Sequence, residues 1–271
     1  FVCLTSAIVI NMQQKILLCS PEFFTVSYSI NPWMKGEPVC QKTVMSQWLD
    51  LVVAISAAGG KTHLIEPQDG LPDMVFTANA GVVHEGKFVV SNMKHEERKR
   101  ESAHFKEWFE LNGYETLSVS HDLDFEGCGD VIVHKGNMIA GHGYRSDVLA
   151  HKEVANLLGL DLIDLELSDP RFYHLDTCFC IVGDNLAIYY PGAFADGEIE
   201  KLEDTTCLSS NRDEMLESVC SFTSDLDDIF ETLSIKLSAK SFFPNICCKE
   251  RRGSNLHECS DPEGKIKREN I

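Results

Sequence analysis

Three stretches decide the fold of this chain: MVFTANAGVVHEGKFVVS at 74–91, FEGCGDVIVHKGNMIAG at 125–141 and YHLDTCFCIVGDNLAIYY at 173–190. Each carries an aromatic residue and a polar cluster near its start, followed by an apolar run, a short turn and a second apolar run. The turns are Glu85-Gly86, Lys135-Gly136 and Asp184-Asn185. Such pairs suit two-residue hairpins, whose central positions need φ > 0. The sequence therefore predicts three β-hairpins.

Helix-like segments separate the hairpins, at 95–114 and 146–159, and each has a glycine at its end that can cap the helix. A short apolar strand follows each helix, at 114–120 and 160–167. The repeating unit therefore combines a strand, a hairpin and a helix.

The polar clusters mark the period of this repeat. Asp73, Glu126 and His174 are 126 − 73 = 53 and 174 − 126 = 48 residues apart. A period near 50 residues predicts a radial or stacked α/β array rather than a doubly wound sheet.

Composition excludes several classes of partner. Lys and Arg number 24 against 42 Asp and Glu, so the net charge is 24 − 42 = −18, which is opposite to a nucleic-acid-binding surface. No apolar run reaches the roughly 18 residues of a membrane span. The 11 cysteines cannot all pair and show no zinc-like spacing, which indicates reduced thiols in the cytoplasm. We expect no nucleic-acid or membrane partner, and a homo-oligomer is compatible with the sequence.

The equivalent positions of the repeats are unusually polar. They hold Asp73, Asn79, Glu126, Asp130, His174 and Asp176, and Arg145 follows the second hairpin. Taken singly, such residues usually cap strands or form turns. In a radial array they converge, and burying them together is costly unless they hydrogen-bond to each other or to a polar ligand. A His beside carboxylates predicts a general acid and base, and carboxylates with an amide oxygen suit a guanidinium. A metal site is the competing interpretation, although the sequence lacks HExxH and His-x-His and the markers lie on separate repeats.

The motifs LPDMVFTANAG, FEGCGD, GYRSD and DPRFYHLDTCFC resemble those of the guanidino-group-modifying superfamily, the penteins. This resemblance implies an α/β fold, a five-bladed propeller of ββαβ units. It covers residues 16–204, which we assign to the propeller domain. Residues 1–15 form a non-matching leader, and residues 205–271 form a divergent tail in place of the final blade. The resemblance implies no metal and no organic cofactor.

The resemblance also implies roles for individual residues. His174 is expected to be the general acid and base, and Glu126 is expected to orient it. Asp176 and Asn79 are expected to hold the guanidinium, and Asp73, Asn31 and Arg145 are expected to bind the rest of the substrate. In the superfamily's hydrolases a Cys thiolate attacks the guanidinium carbon and forms a thiouronium adduct. This chain lacks the usual Gly-rich approach to that Cys, and Cys259 in RGSNLHECS is the candidate.

The choice of substrate rests on details of the same motifs. Asn79 resembles the Asn of the matching FTAN motif in arginine dihydrolases, where deiminases tend to have Asp. Asp176 argues against a strict dimethylargininase, because dimethylargininases usually lack the acid two places after the His. Asn92 stands where relatives commonly carry an Arg for the substrate carboxylate, and Arg98 is a candidate substitute. We therefore expect a hydrolase of arginine or a methylated arginine, with dimethylargininase as the alternative. The alternative of another class is an inactive guanidinium-binding protein or a truncated product without its nucleophile.

Overall fold

The computed structural model describes residues 15–34, 38–183 and 186–206. It consists of short mixed sheets flanked by helices, so the α/β class expected from the sequence is confirmed. The helices are α1 (Gln41–Ala57), α2 (Glu96–Lys99), α3 (Glu101–Leu111), α4 (Val148–Leu158) and α5 (Glu198–Thr206). The strands are β1 (Lys15–Cys19), β2 (Lys61–Ile65), β3 (Gly81–His84), β4 (Lys87–Val90), β5 (Glu115–Ser118), β6 (Val131–His134), β7 (Asn137–His142), β8 (Asp161–Glu166), β9 (Phe179–Gly183) and β10 (Leu186–Tyr189).

Two repeats form complete ββαβ units. In the first, β3 and β4 are antiparallel, and the chain returns through α2 and α3 to place β5 parallel to β4. In the second, β6 and β7 are antiparallel, and α4 leads to β8 parallel to β7. The antiparallel pair of β9 and β10 begins a third unit, and β1 and β2 are parallel across α1. A parallel pair needs such a crossover connection, which explains the helix between each pair of parallel strands.

The turn chemistry expected from the sequence is confirmed at two hairpins. Glu85 and Gly86 have φ of 47° and 79°, and Lys135 and Gly136 have φ of 49° and 81°. Both central residues are thus in the left-handed region, as the twist of a two-residue hairpin demands. Gly159 caps α4 in the same region, with φ of 70°. The third predicted turn, Asp184-Asn185, lies outside the described residues.

A 3-10 turn precedes each hairpin, and these turns bring the polar clusters together. They span Thr77–Ala80, Gly127–Gly129 and Leu175–Thr177, and the second turn contacts both of the others. The approach depends on Gly127, because a Cβ there would lie 2.6 Å from the backbone nitrogen of Gly81. The apolar residues of the hairpins and helices pack beneath these turns in continuous clusters.

The domain boundaries stay predictions. The leader except Lys15, and the tail beyond Thr206, lie outside the described residues. Helix α5 continues across the expected boundary at Asp204. Within the described ranges, no helix combines the length and the apolar character needed to cross a membrane.

Candidate functional site

His174 lies at the point where the three turns meet. It precedes the turn at Leu175–Thr177 in an extended conformation, and only 5% of its surface is exposed. Its Nδ1 is 2.8 Å from Oδ1 of Asp130. Its Nε2 is 3.4 Å from Oε2 of Glu126 and 3.2 Å from Nδ2 of Asn79. One ring from the third repeat therefore contacts side chains from the first and the second.

Asp130 is itself held in place by several donors. Ser146 Oγ donates to its Oδ2 at 2.6 Å, and the Leu175 N–H donates to its Oδ1 at 3.3 Å. The N–H of Glu126 donates in turn to Ser146 Oγ at 2.9 Å. Because these bonds fix the carboxylate, Asp130 fixes the rotation of the His174 ring. The closer hold on the ring thus comes from Asp130 at Nδ1, while Glu126 lies on the Nε2 side.

Glu126 is fully buried and paired with a guanidinium of the protein itself. Nη1 of Arg145 donates to its Oε2 at 2.8 Å, and the Lys94 N–H donates to its Oε1 at 3.3 Å. Nη2 of Arg145 donates to the carbonyl of Ile30 at 2.9 Å, and the guanidinium lies 4.8 Å from the ring centroid of Tyr173. The buried carboxylate of Glu126 thus already binds a planar cation that belongs to the protein itself.

Electrostatics favour charged forms of both His174 and Glu126. Burial alone would lower the pKa of His174, but the charge and hydrogen bond of Asp130, followed by those of Glu126, raise it to about 10. Burial alone would raise the pKa of Glu126, but the hydrogen bond and charge of His174 and the charge of Arg145 lower it to about 2. These shifts favour an imidazolium at His174 beside the carboxylate of Glu126 at neutral pH.

A second buried ion pair supports Asn79. Arg98 donates from Nε and Nη2 to the carboxylate of Glu101, with Nη2 to Oε2 at 2.8 Å. Its Nη1 donates to Oδ1 of Asn79 at 3.0 Å, and its Nη2 donates to the carbonyl of Asp73 at 3.2 Å. Asp73 is 3% exposed, and burial raises the pKa of its carboxyl while the Arg98 charge opposes that rise. A hydrogen bond with Tyr28 also opposes the rise in the pKa of Asp73.

The contacts of the second turn with Asn79 of the first turn and with His174 leave no room for a side chain at Gly129. A Cβ there would lie 2.4 Å from Nδ2 of Asn79 and 3.1 Å from Nδ1 of His174. Gly129 therefore sets the distance between the two polar groups.

The remaining predicted residues lie at the edge of this cluster. Asp176 is partly exposed on the turn that follows His174, and its charge contributes to raising the pKa of Cys128. Asn31 uses its side-chain oxygen to accept the Trp33 N–H at 2.9 Å, and it follows Ile30, the partner of Arg145. Their roles in substrate binding stay predictions.

The structure thus brings together Asp73, Asn79, Glu126, Arg145 and His174. Cys259 lies outside the described residues, so its role as nucleophile also stays a prediction. Burial raises the pKa of Cys128 to about 12 and that of Cys178 well above its usual range, which disfavours thiolates at these two cysteines. Among the residues described, no three His, Cys, Asp or Glu side chains are grouped to hold a metal ion.

Sequence reasoning missed the parts that Asp130 and Glu101 have in this site. Asp130 is one of the polar residues that mark the second repeat. It lies only four residues after Glu126, so position in the sequence does not indicate which of the two acids contacts Nδ1 of His174. Glu101 gave no signal, because an acid at the start of a helix is usually a solvated residue that complements the helix dipole.

Comparison with known proteins agrees with this geometry. Residues 27–217, more than half of the chain, match the sequence model described as N,N dimethylarginine dimethylhydrolase, eukaryotic. The bifunctional arginine dihydrolase/ornithine cyclodeaminase AgrE of Nostoc sp. is 42% identical over 184 residues, which are 66% of this chain and 26% of that protein. The chain therefore spans about a quarter of the length of this relative. The N(G),N(G)-dimethylarginine dimethylaminohydrolase of Mycobacterium tuberculosis is 40% identical over 190 residues, 70% of this chain and 62% of that protein.

A solved structure is similar as well. The crystal structure of the N-terminal domain of ArgZ bound to substrate, an arginine dihydrolase from the ornithine-ammonia cycle in cyanobacteria, has a TM-score of 0.69 and 40% identity. The match covers 71% of this chain and 72% of that domain.

Proposed function

Because this chain belongs to the N,N dimethylarginine dimethylhydrolase family, we propose that it hydrolyses the guanidino group of arginine or of a methylated arginine. The observation that carries the proposal is the buried His174, held between Asp130 and Glu126 with Nε2 turned toward Glu126. This arrangement combines a proton donor with carboxylates that suit a planar cation. The same chemistry supports the proposed carboxylate ligands Asp73 and Asp176, whereas the side-chain oxygen of the proposed amide ligand Asn79 already accepts from Arg98.

The proposed reaction uses His174 in two directions. A Cys thiolate adds to the guanidinium carbon, and the C–N bond to the leaving amine breaks while the imidazolium of His174 gives that amine its proton. The neutral ring then takes a proton from water as the water oxygen displaces the thiolate from the thiouronium carbon. A raised pKa favours the first step, since the ring begins charged. We propose Cys259 as the nucleophile, and Asp130 and Glu126 as the groups that hold the ring.

Arginine is the substrate that we favour within this class. Asn79 at this position and Asp176 after His174 are the features by which the sequence resembles arginine dihydrolases. The 42% identity to AgrE and the likeness to the ArgZ domain support the same choice. Dimethylarginine is the alternative, supported by the family match and by the mycobacterial relative.

The test measures ornithine, citrulline, ammonia and dimethylamine released from arginine and from dimethylarginine by the full chain. We expect citrulline and ammonia from one round of this cycle, and ornithine, carbon dioxide and a second ammonia when the citrulline is hydrolysed in a further round. Turnover should be lost in His174→Asn and in Cys259→Ser. Cys207→Ser is the control for removing a thiol of the same tail. Absence of turnover by the wild-type chain with either substrate would refute the hydrolase proposal.

Binding without catalysis is the second candidate. The raised pKa values of Cys128 and Cys178 favour it, because they disfavour a thiolate at the two cysteines that stand in the motifs of the described site. Calorimetry tests this function by measuring the heat of arginine binding. A binding heat in the wild-type chain that disappears in Asp176→Ala, together with no turnover, would support it. Equal heats for the two proteins would exclude it.

We also propose that the complete fold is a five-bladed propeller of ββαβ units. The support is the series of four small sheets in the described residues, two of them complete ββαβ units, and the likeness to the ArgZ domain. A fifth unit would have to come from chain beyond the described residues. An experimental structure of the full chain tests the blade number.

We propose a cytoplasmic location because the thiols of Cys19, Cys128, Cys178 and Cys180 are free, as in a reducing compartment. Fractionation of cells that express the tagged protein tests the location. Light scattering on eluted protein tests whether it forms a homo-oligomer.

A further inference from the structure

Asn79 lies between one group that can only donate hydrogen bonds and two groups that can accept them. On one side, Nη1 of Arg98 is 3.0 Å from Oδ1 of Asn79. On the other side, Nδ2 of Asn79 is 3.4 Å from the carbonyl oxygen of Glu126 and 3.2 Å from Nε2 of His174. An Arg side chain has no acceptor and does not lose its proton in proteins. The amide oxygen must therefore face Arg98, and the amide NH₂ must face His174.

This amide orientation distinguishes the two protonation states of His174. In the neutral ring with its proton on Nδ1, Nδ1–H donates to Asp130 and the lone pair of Nε2 accepts the N–H of Asn79. In the imidazolium, Nε2–H and the amide N–H oppose each other. A rotated amide would place its oxygen toward Nε2–H and would favour the imidazolium instead. The orientation seen here thus favours the form of the ring that accepts a proton at Nε2.

The orientation depends on Glu101, which does not touch the ring. Its side chain is fully buried on α3, and both of its carboxylate oxygens accept from Arg98, at 3.1 Å for Oε1 and 2.8 Å for Oε2. This paired geometry fixes the plane of the guanidinium and so directs Nη1 at Asn79. Arg98 is 3% exposed, so water does not compete for these bonds.

We propose that Glu101 is a positioning residue: through Arg98 it holds the Asn79 amide with its NH₂ toward His174, and so stabilises the neutral ring that carries its proton on Nδ1. The catalytic meaning of this role rests on the proposed hydrolase, in which the neutral ring activates water. The arrangement opposes the acids around His174, which favour the charged ring. It lets one histidine serve first as an acid and then as a base.

The test is an NMR titration of the full chain labelled with ¹⁵N-histidine, from neutral pH to the highest pH at which the fold persists, so that a midpoint above that of the wild-type chain is covered. Long-range ¹H–¹⁵N spectra report which ring nitrogen carries the proton, and a His174→Gln sample assigns the signals. In Glu101→Gln we expect the His174 midpoint to rise by about one pH unit. The reason is that the hydrogen bond between Asn79 and Nε2 of His174 then favours the imidazolium instead of the neutral ring. Glu107→Gln, an exposed acid on the same helix, is the control that should leave the midpoint unchanged.

The sign of the change separates positioning from simple charge removal. Losing the negative charge of Glu101 would by itself lower the His174 midpoint, whereas rotation of the Asn79 amide raises it. Arg98→Lys provides a second variant, because it keeps the positive charge but removes the planar donor group, and it should raise the midpoint as well. An unchanged or lowered midpoint in a folded Glu101→Gln protein overturns the proposal. If that variant does not fold, the same result in Arg98→Lys overturns it.

The titration needs no turnover, so it is independent of the proposed function. If arginine is hydrolysed, the alkaline shift should also appear in the pH profile of kcat for Glu101→Gln. A wild-type chain without turnover but with the predicted midpoint shift would refute the hydrolase and leave the positioning role standing.

Discussion

Replacing Gly129 by Ala should damage the site more than it damages the fold. The new Cβ would lie 2.4 Å from Nδ2 of Asn79, whereas ordinary contacts begin at 3.4 Å, so one of the groups must move by about 3.4 − 2.4 = 1.0 Å. The Cβ would also lie 3.1 Å from Nδ1 of His174, so movement of the amide toward the ring is restricted. In the proposed reaction, a displacement of this size at Asn79 should cost on the order of 10²-fold in rate.

The cost in stability should be smaller and measurable separately. Overfilling a packed site costs about 1–3 kcal/mol. Gly159→Ala is the matched control, because its φ of 70° makes a side chain strained by about 1–2 kcal/mol, but a Cβ there meets nothing within 4 Å. The two variants should therefore melt at similarly reduced temperatures, while only Gly129→Ala loses kcat/KM for arginine. Equal kcat/KM in Gly129→Ala and the wild-type chain would refute the argument that Gly129 sets the spacing of Asn79 and His174.

Two further predictions concern stability. The pKa of Glu126 is lowered to about 2 from an ordinary value of 4.5, so its contribution to the free energy of unfolding is complete above pH 4.5 and is lost as the pH falls toward 2. The difference in stability between the wild-type chain and Glu126→Gln, measured by urea unfolding, should narrow across that window, and a constant difference would contradict the assignment. Asp164 lies 2.6 Å from Nδ1 of the fully buried His151, so Asp164→Asn should reduce the free energy of unfolding by about 1–3 kcal/mol, against no change for the exposed Asp161→Asn.

The local features of the fold could be predicted because they depend on few residues. Glu85-Gly86 and Lys135-Gly136 specify hairpins through the left-handed conformations that their turn requires, and the structure confirms both. The end of α4 at Gly159 follows from the same preference. The predicted helix at 95–114 is found as α2 and α3, with Arg100 between them. Residue patterning does not indicate this interruption, because residues 95–102, HEERKRES, are all polar and Arg100 keeps right-handed helical backbone angles, with φ of −68° and ψ of −19°.

The partners within the site could not be assigned in the same way. The repeat indicated that Asn79, Glu126 and His174 converge, since equivalent positions of an array face one centre. It did not indicate that Asp130 contacts Nδ1 while Glu126 lies near Nε2. Those contacts join residues 44 and 48 apart, and their distances depend on how closely the turns approach at Gly127 and Gly129.

Residue patterns along the chain specify the α/β class, the hairpin repeat, the acidic character and the types of residue at the site. These follow from periodicity, turn conformation and charge, which are properties of neighbouring residues. The contacts from Glu101 to Arg98, from Arg98 to Asn79 and from Asn79 to His174 are seen only in three dimensions. The reason is physical: a hydrogen bond is defined by distance and direction to within a few tenths of an ångström, and packing between separate repeats sets both.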